Sequence, residues 1–465
     1  MSAADPAFLT IEAAAPLLAA GKLSPVELTT AVLDRIAAAE ALAPAYTEVL
    51  RESALEETQR AEAEIAAGNY RGQLHGIPVG VKGIIDIAGL VTHAGSRAWS
   101  PEPAAADAEV VRRLRAAGAV LLGHHHLYEF AMGGTAANPH FGTLPNPWDA
   151  ARIPGGSSSG SAVAVAAGLA TAALGTDANG SIREPAAFCG VTGVKPTFGL
   201  VPCGGSVAMS PSTEHIGPLT RSAYDAATVL EAVAGHDPAD ARSLPGPPPD
   251  LTGTIRAGIR GRRIGLPDGF FYEDLHPEVA AAIDSARAVL SDLGASFHHV
   301  PMPWAGIADE VCGRLTRIES ASFFMRHLSL PDVAAKLGEL LRSRFAEGLS
   351  PPGADLHEIT VLRAGMRRAG EVAFNGIDLL LTPSTHRTAG PMPLGHPVDD
   401  GGAKFTRVFA FTGQPAMTIP AGFDAAGLPI GITLTTRRRR EDLLFRAGYA
   451  FQQATDLHTQ TPPLL

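Results

Sequence analysis

The pattern of hydrophobic and polar positions along the chain predicts alternating helices and strands. Residues 24–41 read as an amphipathic helix and residues 51–67 as a charge-rich helix. A further helix is predicted over residues 106–118, and the apolar run AVLLG at 119–123 is typical of a strand inside a parallel sheet. This alternation indicates an α/β layer architecture.

The second half of the chain continues the alternation. Residues 262–300 predict a strand–helix–strand unit, and residues 305–375 are predicted to be largely helical. The segments DLLLTP, PAMTIPAG and PIGITLTT predict short strands, followed by a helix over residues 441–454. The Pro-rich stretch at 237–253 is the best candidate for a boundary, and no repeat of fixed period is found.

Composition and charge narrow the class of protein. Of the 465 residues, 46% are hydrophobic and 18% charged, which is enough for a sizeable core and excludes a disordered chain. A net charge of −10 predicts no nucleic-acid partner and no anionic membrane partner. The first residues lack the basic segment of a signal peptide, and no apolar run argues convincingly for a membrane span. We therefore expect a reduced, cytoplasmic location.

The cysteines indicate neither a disulfide framework nor a zinc site. Cys189, Cys203 and Cys312 are odd in number, scattered, and form no C-x-x-C pair. Cys189 lies in an apolar run and is predicted to be an inert core thiol.

Two turns rich in glycine and serine carry the candidate chemistry. Residues 155–161 (GGSSSGS) place hydroxyls before a small-residue helix, and residues 175–190 (GTDANGSIREPAAFCG) form a second tight turn that contains Ser181. Lys82 lies upstream on a strand-like apolar stretch and is predicted to be buried. Two serine-bearing turns and one such lysine suggest a nucleophile, a relay and a base. The backbone N–H groups of residues 178–181 suggest an oxyanion hole.

These motifs together resemble the amidase signature family. The resemblance is carried by GIPVGVK, by EFAMGGTAANPHFGTLPNPWD and by PGGSSSGSAVAVAAGLATAALGTDANGSIREPAAFCGVTGVKPTFGLVP. It extends to LSPVELTTAVLDRI near the start and to DLLLTPS, FTGQPAMTIPAGF, GLPIGITL and QQATDLH near the end. It implies a single compact α/β/α domain over residues 1–465, with a central mixed β-sheet covered by helices. Within it, 1–70 would be a helical segment, 72–235 the signature core and 262–465 the C-terminal portion.

The resemblance also implies a Ser–cis-Ser–Lys triad. Matched motif by motif, the nucleophile is Ser181, the relay is Ser157 and the base is Lys82; the serines keep the family's spacing of 24 residues. The implied oxyanion and substrate-binding residues are Ala178, Asn179, Gly180, Ser181, Met132 and Gly133. The implied reaction is hydrolysis of a non-peptide amide bond in a small molecule, through a seryl acyl-enzyme and without metal or cofactor.

Two positions depart from the family pattern. The usual Gly-Gly-Ser of the nucleophile turn is Asn179-Gly180-Ser181 here, and asparagine tolerates positive φ better than most residues. The lysine is commonly followed by aspartate, whereas Gly83 follows Lys82. A polar partner of the lysine is therefore missing or replaced.

Other interpretations of single motifs are weaker. Residues 156–160 match G-x-S-x-G around Ser158, but no hydrophobic strand precedes them, and no Lys-Ser/Thr follows for a phosphate-binding loop. His124–His126 are consecutive and cannot converge on one metal ion from a regular strand, so packing or the edge of a substrate pocket is preferred. Arg183 is predicted to fix the nucleophile turn, and Arg437–Arg440 to be a solvated loop.

One functional alternative stays open. The chain also resembles the A-type subunit of a heteromeric glutamyl-tRNA amidotransferase, which would require a partner with a tRNA-binding surface and an ammonia tunnel. A catalytically inactive scaffold is disfavoured because Lys82, Ser157 and Ser181 are all present. The substrate (an amide, urea, hydrazide or ester) and the assembly, with a homodimer as one option, are not determined.

Overall fold

A large mixed sheet forms the centre of the molecule in the computed structural model, which describes residues 5–349, 353–392 and 403–463. The strands are β1 (Tyr46–Val49), β2 (Pro78–Lys82), β3 (Val120–His125), β4 (Ala137–Asn138), β5 (Gly142–Thr143), β6 (Ala172–Thr176), β7 (Thr192–Lys195), β8 (Ile216–Thr220), β9 (Arg263–Pro267), β10 (Ser296–Val300), β11 (Leu379–Pro383), β12 (Ala416–Phe423) and β13 (Pro429–Thr436). Strands β4 and β5 pair only with each other, and the other eleven form one sheet in the order β1-β3-β2-β6-β8-β7-β12-β13-β11-β9-β10.

Helices cover this sheet. They are α1 (Ile11–Ala19), α2 (Pro25–Ala39), α3 (Arg51–Ala66), α4 (Glu109–Ala116), α5 (Ser159–Ala166), α6 (Arg183–Cys189), α7 (Ala223–Val233), α8 (Pro277–Asp292), α9 (Ala305–His327), α10 (Pro331–Ala334), α11 (Glu339–Gly348), α12 (Gly353–Val372), α13 (Arg407–Thr412) and α14 (Glu441–Gln453). Among the described residues, no helix is both long enough and apolar enough to span a bilayer.

The polar side chains Lys82 and Thr176 lie next to each other because their strands run in the same direction. Strand β2 lies between β3 and β6 and runs parallel to both, whereas β6 pairs with β8 in antiparallel fashion. Because neighbouring parallel strands end at the same edge of a sheet, Lys82 at the end of β2 lies beside Thr176 at the end of β6.

Helix α5 packs against this part of the sheet because its residues are small. It contacts β2, β3, β6 and β8, and every one of its residues is buried. A Cβ atom at Gly160 would lie 2.5 Å from the backbone oxygen of Ala45 and 2.5 Å from the backbone nitrogen of His126. Only glycine permits this close approach, which seats the serine-rich turn before α5 on the edge of the sheet.

The α/β architecture with a mixed central sheet is confirmed, and so are most predicted elements. The predicted strand–helix–strand unit is β9, α8 and β10, and the region predicted as helical contains α9 to α12. The Pro-rich stretch at 237–253 does not separate two cores. Leu230 before it, Leu251 within it and Ile264 after it all belong to one hydrophobic cluster.

Candidate active site

Lys82 and Ser157 form a buried hydrogen-bonded pair at the edge of the sheet. The Lys82 Nζ atom lies 2.9 Å from Ser157 Oγ and 2.8 Å from Thr176 Oγ1, and none of the three side chains is more than 2% exposed. The Gly156–Ser157 peptide bond is cis. The structure therefore brings the predicted base and relay into direct contact.

The surroundings of Lys82 favour its neutral form. Burial, opposed by the attraction of Glu214 and Asp177, lowers the pKa of Lys82 from 10.5 to about 7. Burial also raises the pKa of Glu214, although Lys82 and a hydrogen bond from Thr176 act in the opposite direction. A lysine in this state can accept a proton near neutral pH.

The turn that carries Ser181 is held by a buried ion pair. Arg183 donates from Nε and Nη2 to the two carboxylate oxygens of Asp177, both at 2.9 Å, and both side chains are fully buried. Burial alone would raise the pKa of Asp177, but Arg183 and other nearby positive groups lower it to about 2. The prediction that Arg183 fixes the turn is confirmed by this bidentate geometry.

One predicted oxyanion donor is already occupied. The Gly180 N–H donates to Asp177 Oδ1 at 2.7 Å, so this group is not free to bind an oxyanion. In the described part of the chain, the N–H groups of Ala178, Asn179 and Ser181 have no acceptor. The predicted set of four donors is therefore reduced to three, because the carboxylate that holds the turn uses the fourth.

A cavity of ≈ 320 Å³ opens above these residues. Ser181 and Gly156 line it, together with the other predicted binding residues Ala178, Asn179, Gly180, Met132 and Gly133. The two serine turns touch through the Ser158 N–H, which donates to the Ser181 carbonyl at 3.1 Å. Between the Ser157 and Ser181 hydroxyls, both within the described residues, no hydrogen bond is formed.

The loop that carries Met132 and Gly133 has unusual backbone geometry. Phe130 (φ 47°) and Ala131 (φ 58°) are consecutive non-glycine residues in the left-handed region, where L-residues pay a steric cost of roughly 1–2 kcal/mol each. The guanidinium of Arg344 on α11 donates to the Met132 carbonyl and helps to hold this conformation. Non-glycine residues in this region often cluster at functional sites.

The residues of the two alternative motifs, Ser158 and His124–His126, do not line the cavity. Ser158, the centre of the G-x-S-x-G match, is fully buried and hydrogen-bonds to the backbone of Thr176 at 3.1 and 3.2 Å. His124 contacts the Ile85 carbonyl, His125 the Ser161 hydroxyl and His126 the Gly142 carbonyl. These histidines pack in the interior and do not line the cavity, and burial lowers their pKa values to between about 3 and about 4.

Sequence reasoning missed Thr176 and Glu214. Neither stands in a recognisable chemical motif; Thr176 reaches Lys82 because β6 pairs with β2, and Glu214 reaches the cavity from the segment before β8. No sequence pattern pointed to Thr176, because residues 175–190 are predicted as a tight turn, whereas in the structure Thr176 ends a strand. No sequence pattern pointed to Glu214, because it is brought close to Lys82 only by the course of the chain between β7 and β8.

The structure accounts in different ways for Gly83 and Asn179, the two positions that depart from the family pattern. At Gly83 an added Cβ would lie 3.0 Å from the His93 ring, so this ring occupies the space beside the lysine. At Asn179 positive φ is not needed, because Gly180 (φ 134°) and not Asn179 adopts it. A Cβ at Gly180 would lie 2.1 Å from Thr406 Oγ1, which makes glycine necessary there.

The fold and this site together are typical of one class of α/β proteins, and a single family model describes that class. The Amidase model matches residues 27–445, which is most of the chain. The protein therefore belongs to the amidase family.

Individual relatives span nearly the full length. The chain is 38% identical over 483 aligned positions to the A-type component of the glutamyl-tRNA(Gln) amidotransferase of Chloroflexus aggregans, covering 98% of each chain. A solved structure, described as a vestigial protein complex that reveals the evolutionary origins of an s-triazine catabolic enzyme, has a TM-score of 0.91 at 33% identity, covering 98% of this chain and 100% of the other. The peptide amidase of Stenotrophomonas maltophilia has a TM-score of 0.86 at 33% identity, with 98% of each chain covered.

Proposed function

We propose that this protein hydrolyses a non-peptide amide bond of a small molecule through an acyl-enzyme on Ser181. The observation that carries the proposal is the buried contact of 2.9 Å between Lys82 Nζ and Ser157 Oγ, directly below a cavity lined by Ser181. Membership of the amidase family supports action on carbon–nitrogen bonds.

The mechanism follows from the protonation state of Lys82. Neutral Lys82 accepts the proton of Ser157, which in turn accepts the proton of Ser181 as its Oγ attacks the carbonyl carbon. In this mechanism the developing oxyanion is bound by the N–H groups of Ala178, Asn179 and Ser181, which have no acceptor among the described residues. The proton returns through Ser157 to the leaving amine, and water then hydrolyses the ester.

The proposed relay needs a hydrogen bond between the Ser157 and Ser181 hydroxyls, which these two described residues do not form. Catalytic hydrogen bonds are often long in the free enzyme and shorten when substrate binds. We expect the Ser157–Ser181 contact to form when an acyl group occupies the cavity.

The test combines a substrate panel with covalent labelling. Purified protein is incubated with amides, ureas, hydrazides and esters while released ammonia or amine is measured. A fluorophosphonate should label the peptide that contains GTDANGSIREP at Ser181. Failure to label Ser181, or labelling at Ser158, would contradict the proposed nucleophile.

A second candidate is the A-type component of a heteromeric amidotransferase, because the curated relative at 38% identity carries that name over 98% of both chains. This candidate predicts release of ammonia from glutamine and dependence on a second chain. Affinity purification from the native host, followed by glutamine hydrolysis with and without any co-purified chain, separates the two. Full activity of the isolated chain on a small amide other than glutamine favours the first candidate.

A further inference from the structure

Glu214 is a buried carboxylate at the cavity to which the mechanism described above gives no role. It is only 7% exposed and lines the cavity together with Ser181. Its backbone is fixed on both sides, because the Glu214 N–H donates to the Ser210 carbonyl at 3.0 Å and the next residue, His215, exchanges backbone hydrogen bonds of 2.8 and 3.1 Å with Asp177. Burying a carboxylate is costly, so nearby groups must compensate for the water it loses.

Strand pairing places Glu214 beside Thr176. Thr176 at the end of β6 lies directly opposite Ile216 at the start of β8. Glu214 precedes Ile216 by two residues and is therefore the diagonal neighbour of Thr176 on the same face, within reach of a long side chain. A hydrogen bond from the Thr176 hydroxyl, which acts to lower the pKa of Glu214, agrees with this placement.

Lys82 is the main charge that Glu214 faces. After burial, Lys82 is the strongest influence on the pKa of Glu214, and Glu214 is likewise the strongest charge acting on the pKa of Lys82. Other titratable or charged groups that act on this pair are Asp177, Cys203 and Arg242. The remaining charged residues that line the cavity are Glu184, Arg317, Arg344, Glu347 and Arg407. Substituting Glu214 leaves all of these groups in place.

The two hydrogen bonds of Lys82 can be arranged in two ways. Lys82 Nζ lies 2.9 Å from Ser157 Oγ and 2.8 Å from Thr176 Oγ1, and a neutral amine has two N–H donors and one lone pair. To accept the proton of Ser157, the lone pair must face Ser157, so an N–H must face Thr176. In the opposite arrangement the Thr176 hydroxyl donates to the lone pair, and Lys82 cannot act as a base.

The ionised form of Glu214 selects the productive arrangement. The Thr176 hydroxyl has a single hydrogen, and an ionised carboxylate can only accept. When Thr176 donates this hydrogen to Glu214, its oxygen accepts from Lys82, which leaves the lysine lone pair for Ser157. A protonated Glu214 can itself donate to Thr176, which frees the Thr176 hydrogen to occupy the lone pair.

We propose that Glu214 is a positioning residue that directs the lone pair of neutral Lys82 toward Ser157 through the Thr176 hydroxyl. The proton passes from Ser181 to Ser157 and from Ser157 to Lys82, while Glu214 neither gains nor loses one. Its negative charge stabilises the ammonium group that forms on Lys82, because opposite charges interact strongly in a buried site. This inference rests on the proposed function, since it takes Lys82 as the base.

The pH dependence of Ser181 reactivity tests this role without a known substrate. The rate constant for labelling of Ser181 by a fluorophosphonate is measured across the range around neutral pH in the wild type and in Glu214→Gln. The wild type must release a proton from both Lys82 and Glu214 to become active, so on the acid side the logarithm of the rate constant should fall with a limiting slope greater than one.

The Glu214→Gln variant should change both features of this profile. Only Lys82 then titrates, so the limiting slope should be one. Loss of the carboxylate removes an attraction that raises the pKa of Lys82, so the midpoint should move to lower pH by about one unit or more. Glu102→Gln, which removes one charge at an exposed position outside the cavity lining, should keep the wild-type profile. A wild-type midpoint and slope in Glu214→Gln would overturn the inference.

Substitutions at Thr176 test the route through its hydroxyl. Thr176→Val and Glu214→Leu should each lower the labelling rate constant on the high-pH plateau by about 10- to 100-fold. The double variant should lose no more than either single variant, because both changes break the same chain of hydrogen bonds. Thr176→Ser keeps the hydroxyl and should lose less than Thr176→Val. Additive losses in the double variant, or equal losses in the two Thr176 variants, contradict the route.

Two controls separate this inference from the proposed function and from misfolding. Glu214→Gln and Thr176→Ser conserve shape, so they decide the question if circular dichroism shows that the apolar variants are unfolded. A wild type that is not labelled at Ser181, or a Lys82→Ala variant labelled as fast as the wild type, contradicts the proposed function. Labelling that depends on Lys82 but has the same pH profile in Glu214→Gln contradicts only the role of Glu214.

Discussion

The cavity has two walls that differ in burial and in chemistry. The wall that carries the proposed chemistry, called the catalytic wall, consists of Gly156, Thr176 and residues 178–181, and the hydrogen-bonded pair of Lys82 and Ser157 is buried beneath it. The helical wall consists of the residues of α9 and α11 that line the cavity, among them Arg317 and Glu347, which are exposed. Reactive groups gain altered pKa values from burial, whereas exposed groups on helix surfaces adapt to a ligand. We therefore expect the catalytic wall to control the chemical step and the helical wall to control binding.

The largest effect is expected for the nucleophile. Ser181→Ala should reduce kcat by about 10⁴-fold or more and abolish fluorophosphonate labelling, because it removes the proposed attacking hydroxyl. Turnover under single-turnover conditions and intact mass after labelling measure both effects. Ser158→Ala is the matched control and should keep the label, since Ser158 bonds to the backbone of Thr176. A Ser181→Ala protein that still forms a covalent adduct would contradict the assignment.

The second-largest effect is expected for Lys82, the proposed base, and for the pH dependence of kcat/KM. The proposed mechanism requires neutral Lys82, so kcat/KM should rise with pH along a limb whose midpoint lies near the lowered pKa of about 7, and fall as Lys82 is protonated below it. Lys82→Ala should lose on the order of 10²–10⁴-fold in rate together with this limb. Lys82→Arg should be equally inactive, because guanidinium keeps its proton. Substantial activity in Lys82→Arg would mean that only a positive charge is needed.

A stability effect should follow from breaking the ion pair under the nucleophile turn. Asp177→Ala leaves Arg183 buried without its carboxylate and should lower the free energy of unfolding by about 3–5 kcal/mol. Urea denaturation followed by circular dichroism measures the loss. The double variant Asp177→Ala, Arg183→Met should be less destabilised than the single one, because no unpaired charge remains. A single variant as stable as the wild type would show that the pair does not support the turn.

The smallest effect is expected on the helical wall. Arg317 is exposed, lines the cavity and has no ion-pair partner among the described residues, so Arg317→Ala should change KM by less than about tenfold and leave kcat nearly unchanged. Steady-state kinetics separate the two constants. Arg326→Ala, an exposed arginine on the same helix away from the cavity, is the matched control. A large loss of kcat in Arg317→Ala would remove the distinction between the two walls.

The two serine-bearing turns beside the cavity were recognisable from sequence because local constraints shape them. The turn around Ser181 needs glycine at 180, an aspartate before it and an arginine after it, all within seven residues. The turn before α5 likewise depends on consecutive glycines and serines. Short-range requirements of this kind leave recognisable patterns, and the resemblance to a family built on them located Lys82, Ser157 and Ser181.

Contacts between distant parts of the chain were decided by the tertiary structure alone. Thr176 reaches Lys82 through strand pairing, 94 residues apart in sequence, and Cys312 and Thr316 reach Asn179 from 133 and 137 residues away. The occupation of the Gly180 N–H by Asp177 depends on the actual rotamer and distance, which a motif does not specify. Sequence by itself determined the alternating α/β pattern, which follows from periodicity, and the short motifs whose resemblance to a family points to Lys82, Ser157 and Ser181. The order of the strands and the seating of α9 over the cavity determined the partners of those residues, because such contacts depend on how the whole core packs.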